Sequence, residues 1–145
     1  MDLTSDSHVH SKDEIIDILK SEKCIDIFKK LNINSILLFG SIVTDNFEDY
    51  SDVDIAVLSE EKIGLDCIMD LEESIGSLIN REIDIVVLND EELDLRFKVT
   101  VYDSAMLIYN DALDLYSKDY NKTDVIYKNN EEFRFFRERD VIDYE

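Results

Sequence analysis

The stretch from Leu37 to Leu58 constrains this chain more than any other. Leu37-Leu38-Phe39 runs straight into Gly40-Ser41. Ten residues after Ser41 comes Asp52-Val53-Asp54, followed at once by Ile55-Ala56-Val57-Leu58. Two short apolar runs joined this way predict strand, tight turn, short helix, loop and strand. Side chains alternate along a strand, so Asp52 and Asp54 share a face and Val53 points to the other. Two carboxylates on one face make a hard, oxygen-rich site suited to Mg²⁺. Gly40-Ser41 falls where a strand turns into a helix, and the free N–H groups of a helix start favour phosphate. The chain holds no proline and only three glycines, so a glycine at this turn is itself a sign of a demanding backbone.

Acidic pairs need a control in a chain with 35 Asp and Glu residues. Asp52-Val53-Asp54 is the only Asp-x-Asp here. A second dipeptide, Gly76-Ser77, meets Leu88 and Asp90 at the matching offsets and so lacks the pair. A third acid stands out in Ile83-Asp84-Ile85-Val86-Val87-Leu88, where Asp84 is the lone charge of an apolar run. A charge within a strand is costly unless it is paired or metal-bound.

The rest of the chain predicts an alternation of helices and strands. Ser11-Lys12-Asp13-Glu14 reads as a capping box. It opens one helix to about Leu31, with Ile15, Ile18, Leu19, Ile25, Phe28 and Leu31 on its apolar face. Ser35–Phe39 is expected as a central, buried strand. A short helix over Ser41 to Asn46, a strand Asp52–Leu58, a helix Leu65–Asn80 and a strand Ile83–Leu88 follow. A helix over 89–101 is capped by Asn89 or Asp90, and Met106–Tyr109 forms a short strand. Asn110 or Asp111 then caps a last helix from about Ala112 through 116–127. Residues 1–10 are expected as a flexible tail and 11–128 as one domain. Residues 129–145 form a C-terminal segment whose Phe and Arg residues suit a partner contact.

A chain of 145 residues with 45% apolar content is one domain with a real core. The formal net charge is −20, which repels nucleic acid at long range and favours a basic protein partner. Direct nucleic-acid binding is not expected. No apolar run approaches the length of a membrane span. The acidic start Met1–Asp6 lacks the apolar core of a signal peptide, so a cytoplasmic location is expected. Cys24 and Cys67, in no metal-type spacing, are expected as small buried thiols. His8 and His10 read as part of a solvated tail.

The order Gly40-Ser41, ten residues, Asp52-Val53-Asp54 resembles the signature of the DNA polymerase beta-like nucleotidyltransferase superfamily. The short length resembles its minimal nucleotidyltransferases, the antitoxin half of HEPN–MNT toxin–antitoxin pairs. The likeness runs from about Ser35 to about Tyr109 and more weakly to the end. It implies an α/β (α+β) nucleotidyltransferase fold, a small mixed sheet flanked by helices. It implies Asp52, Asp54 and Asp84 as metal-holding and catalytic acids, with Gly40 and Ser41 at the triphosphate. The cofactor implied is Mg²⁺, taken as two ions, and the nucleotide substrate is ATP. The activity implied is transfer of AMP to a tyrosine of a cognate HEPN-type toxin, in a hetero-oligomer. Two alternatives stand beside it: an antitoxin that neutralises by binding alone, and a small-molecule nucleotidyltransferase. One departure is plain. The minimal enzymes follow Gly-Ser with a basic residue, whereas this chain has Ile42-Val43-Thr44-Asp45. Arg96 and Lys98 are the candidates to replace that charge.

Overall fold

The computed structural model describes the backbone over residues 9–144 and side chains over 9–130. Its first helix starts at the capping box. Ser11 Oγ accepts from the Glu14 amide at 3.2 Å, and Glu14 Oε1 accepts from the Ser11 amide at 2.8 Å. The single helix expected to Leu31 is two helices, α1 (Lys12–Lys20) and α2 (Glu22–Lys29). Ser21 breaks it with an extended backbone (ψ 151°). Its hydroxyl donates to the Ile18 carbonyl at 2.6 Å and accepts from the Cys24 amide at 3.3 Å. One serine thereby ends one helix and caps the next, competing with the helical ladder as serines do.

The strands are β1 (Ser35–Phe39), β2 (Val53–Leu58), β3 (Ile83–Val87) and β4 (Met106–Asn110). They form one mixed sheet in the order β3-β2-β1-β4, so β1 and β2 are interior, as their apolar runs predict. β1 pairs antiparallel with β2 and with β4, while β2 and β3 run parallel. A parallel pair requires a crossover, and α3 (Leu65–Ile79) provides it. Asn80 in the left-handed region (φ 55°) stops α3. The remaining helices are α4 (Leu95–Ser104) and α5 (Leu115–Tyr144).

Alternation along the strands builds a core on each face of the sheet. Ile36, Leu38, Val53, Ile55, Val57, Ile83 and Ile85 pack beneath α1, α2 and α3, against Ile15, Leu19, Phe28, Ile68, Leu71, Ile75 and Ile79. Each such side chain, fully buried, is worth about 1.5–3 kcal/mol. On the other face Leu37, Ala56, Leu58 and Leu88 pack beneath Val101 and Tyr102 of α4, with Leu115 and Tyr116 of α5 around them. A half-buried polar cluster joins these two helices. Lys98 Nζ lies 3.3 Å from Asp119 Oδ1, and the Tyr102 hydroxyl donates to Asp119 Oδ2. Burial first, then that carboxylate, holds the Tyr102 phenol far above its ordinary range.

Other boundaries differ from expectation. Residues 89–94 are turns, and α4 begins at its cap Asp94, whose carboxylate accepts from the Phe97 amide at 3.0 Å. Asn89 is drawn away by Ser59: its amide nitrogen donates to the Ser59 carbonyl at 2.8 Å. At the start of α5, Asp114 serves rather than Asn110 or Asp111, accepting from the Ser117 amide at 3.2 Å. α5 continues through the 128/129 boundary to Tyr144. The Phe and Arg side chains expected to form a partner contact lie outside the described side chains, and residues 1–8 with His8 lie outside the described residues. Cys24 is buried, which pushes its thiol up to about 11. Cys67 is exposed: it sits one position from Ile68, about 100° around the helix from the core-facing stripe. No helix among the described residues is long and apolar enough to cross a membrane.

Candidate functional site

The acid-bearing ends of β2 and β3 lie beside the turn that leaves β1. Gly40 adopts φ +76° and opens a short 3-10 helix, Gly40–Val43. A Cβ placed on Gly40 would stand 2.2 Å from Asp54 Oδ2. Glycine is required there twice over, by the backbone angle and by the carboxylate resting against its Cα. The space beside the Gly40 Cα is thus filled by the Asp54 carboxylate. Ser41 follows, half-buried, and its hydroxyl has no protein partner among the described residues. The turn is closed by the Thr44 amide and hydroxyl, each 2.9 Å from the Ser41 carbonyl. Lys12, from the first turn of α1, donates to the Thr44 carbonyl at 2.7 Å.

Strand register brings the acids together. Asp54 is the Cα partner of Phe39 on one side and of Asp84 on the other. Asp54 shares its strand face with Ala56 and Leu58, and Asp84 shares its face with Val86 and Leu88, on the α4 side of the sheet. Asp52 lies two residues before Asp54, just outside β2. Asp54 is half-buried, whereas Asp52 and Asp84 are exposed. Burial raises the Asp54 pKa above its ordinary 3.8, and the charges of Asp84 and then Asp52 raise it further. Asp84 is therefore coupled to the pair. Its exposure departs from the expectation drawn from its apolar run: it sits at the open end of an edge strand, where the helices no longer cover the sheet.

The donor set fits a hard divalent cation. It is all oxygen and all anionic, and the charges of Asp84 and Asp52 already raise the proton affinity of Asp54, a repulsion that a cation would relieve. That fit is one of chemistry: among the described residues, no three His, Cys, Asp or Glu side chains are arranged to hold a metal ion.

The candidates for the absent basic residue divide. Lys98 is committed to Asp119 at the α4–α5 contact. Arg96 is exposed next to Phe97, whose ring meets Phe39 edge-on at 5.7 Å, which puts it at the end of α4 nearest the turn. Ile42, at the position after Gly-Ser, is fully buried, so the core has claimed the place of a basic side chain.

The sequence did not single out Arg81. Its Nη1 donates to the Ser51 carbonyl at 2.6 Å, and its guanidinium lies 4.6 Å from the centre of the Phe47 ring. Both contacts fall in the loop that delivers Asp52. The available sign was a lone cation directly before the acid-bearing strand β3.

Comparison with known proteins places this geometry. Residues 22–112 match the family model described as polymerase beta, nucleotidyltransferase. A Methanocaldococcus jannaschii protein named as a protein adenylyltransferase is 32% identical over 76 residues, 52% of this chain and 76% of the relative. Among solved structures, a chain of a toxin–antitoxin complex with AMP-PNP superposes with a TM-score of 0.68 at 22% identity, covering 83% of this chain and 96% of that one. A chain from a complex of tri-AMPylated Shewanella oneidensis HEPN toxin with MNT antitoxin gives 0.64 at 21% identity, covering 91% and 99%. These two likenesses carry the fold.

Proposed function

This chain belongs to the polymerase beta nucleotidyltransferase family, and from that premise we propose that it is an MNT-type antitoxin that moves AMP from ATP to a tyrosine of a cognate HEPN-type toxin. The observation that carries the reading is the placement of Asp54 in register with Asp84 and hard against Gly40. It is supported by the relative named as a protein adenylyltransferase and by fold neighbours taken from toxin–antitoxin complexes, one with an AMPylated toxin.

Each residue has a role in that reaction. Asp52, Asp54 and Asp84 would hold Mg²⁺, which would offset the charge that develops on the phosphates. Ser41 Oγ, free of protein partners among the described residues, donates to a phosphate oxygen of ATP. The tyrosine oxygen attacks the α-phosphorus, the bond from that phosphorus to the bridging oxygen breaks, and pyrophosphate leaves. Asp84, exposed at the open end of its edge strand, takes the phenolic proton; such a base must come within hydrogen-bond reach of the hydroxyl. Asp54 is the least suited to that task, being the most buried of the three and pressed against Gly40.

A second reading has its own support. Buried Ile42 where a basic residue is usual, together with the net charge of −20, suits an antitoxin that neutralises a basic partner by contact alone. One experiment separates the two. The chain is co-expressed with a HEPN-type protein encoded beside it, and the partner's intact mass is measured. Adenylyl additions that vanish with Asp52→Asn/Asp54→Asn support the enzyme. Neutralisation that persists in that variant, with no mass gain in the wild type, selects the binding protein.

A further inference from the structure

Asp54 and Asp52 are held by different means. Asp54 is locked by ladders on both sides, through Phe39 and Asp84. Asp52 precedes the first register pair, Val53 with Ile83, and belongs to neither ladder. Something else must hold the peptide that carries it.

We propose that Arg81 is the positioning residue for Asp52, acting through the Ser51 carbonyl and the Phe47 ring. The proposal rests on the nucleotidyltransferase reading of the site. Arg81 Nη1 reaches the carbonyl of the residue directly before Asp52 at 2.6 Å, across 30 residues of sequence. The same guanidinium covers Phe47 at the far end of the loop, 4.6 Å from the ring centre. The loop between is itself a closed turn. The Ser51 amide donates to the Glu48 carbonyl at 3.1 Å, and the Glu48 amide donates to Ser51 Oγ at 2.9 Å. The Val53 amide donates to the Glu82 carbonyl at 2.9 Å, so the residue after Arg81 fixes the residue after Asp52. Residues 81 and 82 thus grip the chain on both sides of one catalytic acid.

Charge neutralisation does not account for this arginine. Acids outnumber bases 35 to 15 in the chain, and Glu72, Glu73, Glu82 and Asp84 line the same groove as Arg81. Yet Arg81 forms no ion pair with a carboxylate among the described residues. A planar guanidinium can donate in its plane and stack on an aromatic face at the same time, which an ammonium cannot. The pair of contacts therefore needs arginine, not a positive charge alone.

The test compares Arg81→Met and Arg81→Lys with wild type in the full chain, using Mn²⁺ as the metal probe and ¹⁵N relaxation as the structural readout. Arg81→Met should weaken Mn²⁺ binding by about tenfold to a hundredfold, the effect of losing a group that orients a metal ligand. Order parameters should fall over Glu48–Asp52 while those of Ala56, in the middle of β2, stay unchanged. A general loss of stability would move both. Arg81→Lys, which keeps a donor and loses the stacking, should fall between the two and folds even if the methionine variant does not. Adenylyl transfer to the partner should drop in kcat with little change in KM for ATP. Wild-type Mn²⁺ affinity and an ordered 48–52 loop in both variants overturn the proposal, as does a wild-type chain that binds no Mn²⁺. A wild type that binds Mn²⁺ but transfers no adenylyl group overturns the functional reading and leaves the positioning role to be judged on the first two measurements.

Discussion

The chain contains the same dipeptide twice, and the two copies ended up in unlike places. Gly40-Ser41 ends a strand: its glycine takes φ +76°, and its Cβ position is filled by the Asp54 carboxylate. Gly76-Ser77 lies inside α3, where the glycine's Cβ position is 2.8 Å from the Arg81 backbone carbonyl. One glycine admits a charged side chain; the other admits the chain returning after a helix. The dipeptide has no chemistry of its own. What makes the first copy a candidate site is a pair of acids at the right distance along the chain and a sheet that brings them back to it.

Substitutions at each copy test that contrast. The largest effect is expected from removing the acid that faces Gly40. Asp54→Asn should lower adenylyl transfer at least about 10²–10³-fold, the scale of losing one charge-stabilising group, as read by the rate of partner mass gain. The same variant should gain stability at neutral pH. The folded pKa of Asp54 is raised, so its protonated form stabilises the fold below 3.8, and that contribution is lost as pH rises through the raised value. Melting curves from pH 3 to 7 should therefore decline less steeply for Asp54→Asn than for wild type.

The glycines come next. Gly40→Ala should cost about 1–3 kcal/mol from the backbone angle alone, with a further loss from displacing Asp54, and should abolish transfer. Much of that further loss should disappear when Gly40→Ala is made in an Asp54→Ala background, measured as a double-mutant cycle in urea. Gly76→Ala meets a backbone oxygen, and overpacking of that kind costs about 1–3 kcal/mol, partly offset by about 1 kcal/mol of helix propensity. Its Tm should fall, while transfer well below Tm falls far less than in Gly40→Ala. Equal losses of activity at both glycines would break the comparison.

The serines should show the smallest effects. Ser41→Ala should leave stability within about 0.5 kcal/mol of wild type and raise KM for ATP about tenfold, the worth of one hydrogen bond to a charged group. Ser77→Ala, exposed on α3, should change neither.

Local patterns were legible where a few neighbouring residues determine the outcome. The capping box at Ser11 and Glu14 formed as written, and along α3 the helically spaced Ile68, Leu71, Ile75 and Ile79 are buried, with Leu78 packed at their edge. The break at Ser21 was hidden because the apolar positions on either side keep helical spacing across it. The start of α4 was misplaced because Asn89 and Asp90 are credible caps until Ser59, thirty residues away, engages Asn89. Lys98 looked available for the site because its partner Asp119 lies on a helix that the sequence does not bring near it.

The sequence by itself determined that a glycine-serine turn and two same-face acids would flank a strand junction, since a period of two and a spacing of ten residues are properties of the chain alone. Only the tertiary structure decided that Asp84 would stand level with Asp54, that Asp54 would fill the space beside Gly40, and that Arg81 would reach Ser51. Those contacts depend on how β3 docks beside β2 after a helical crossover. That docking is set by the packing of α3 beneath the sheet, where side chains far apart in the chain share one volume.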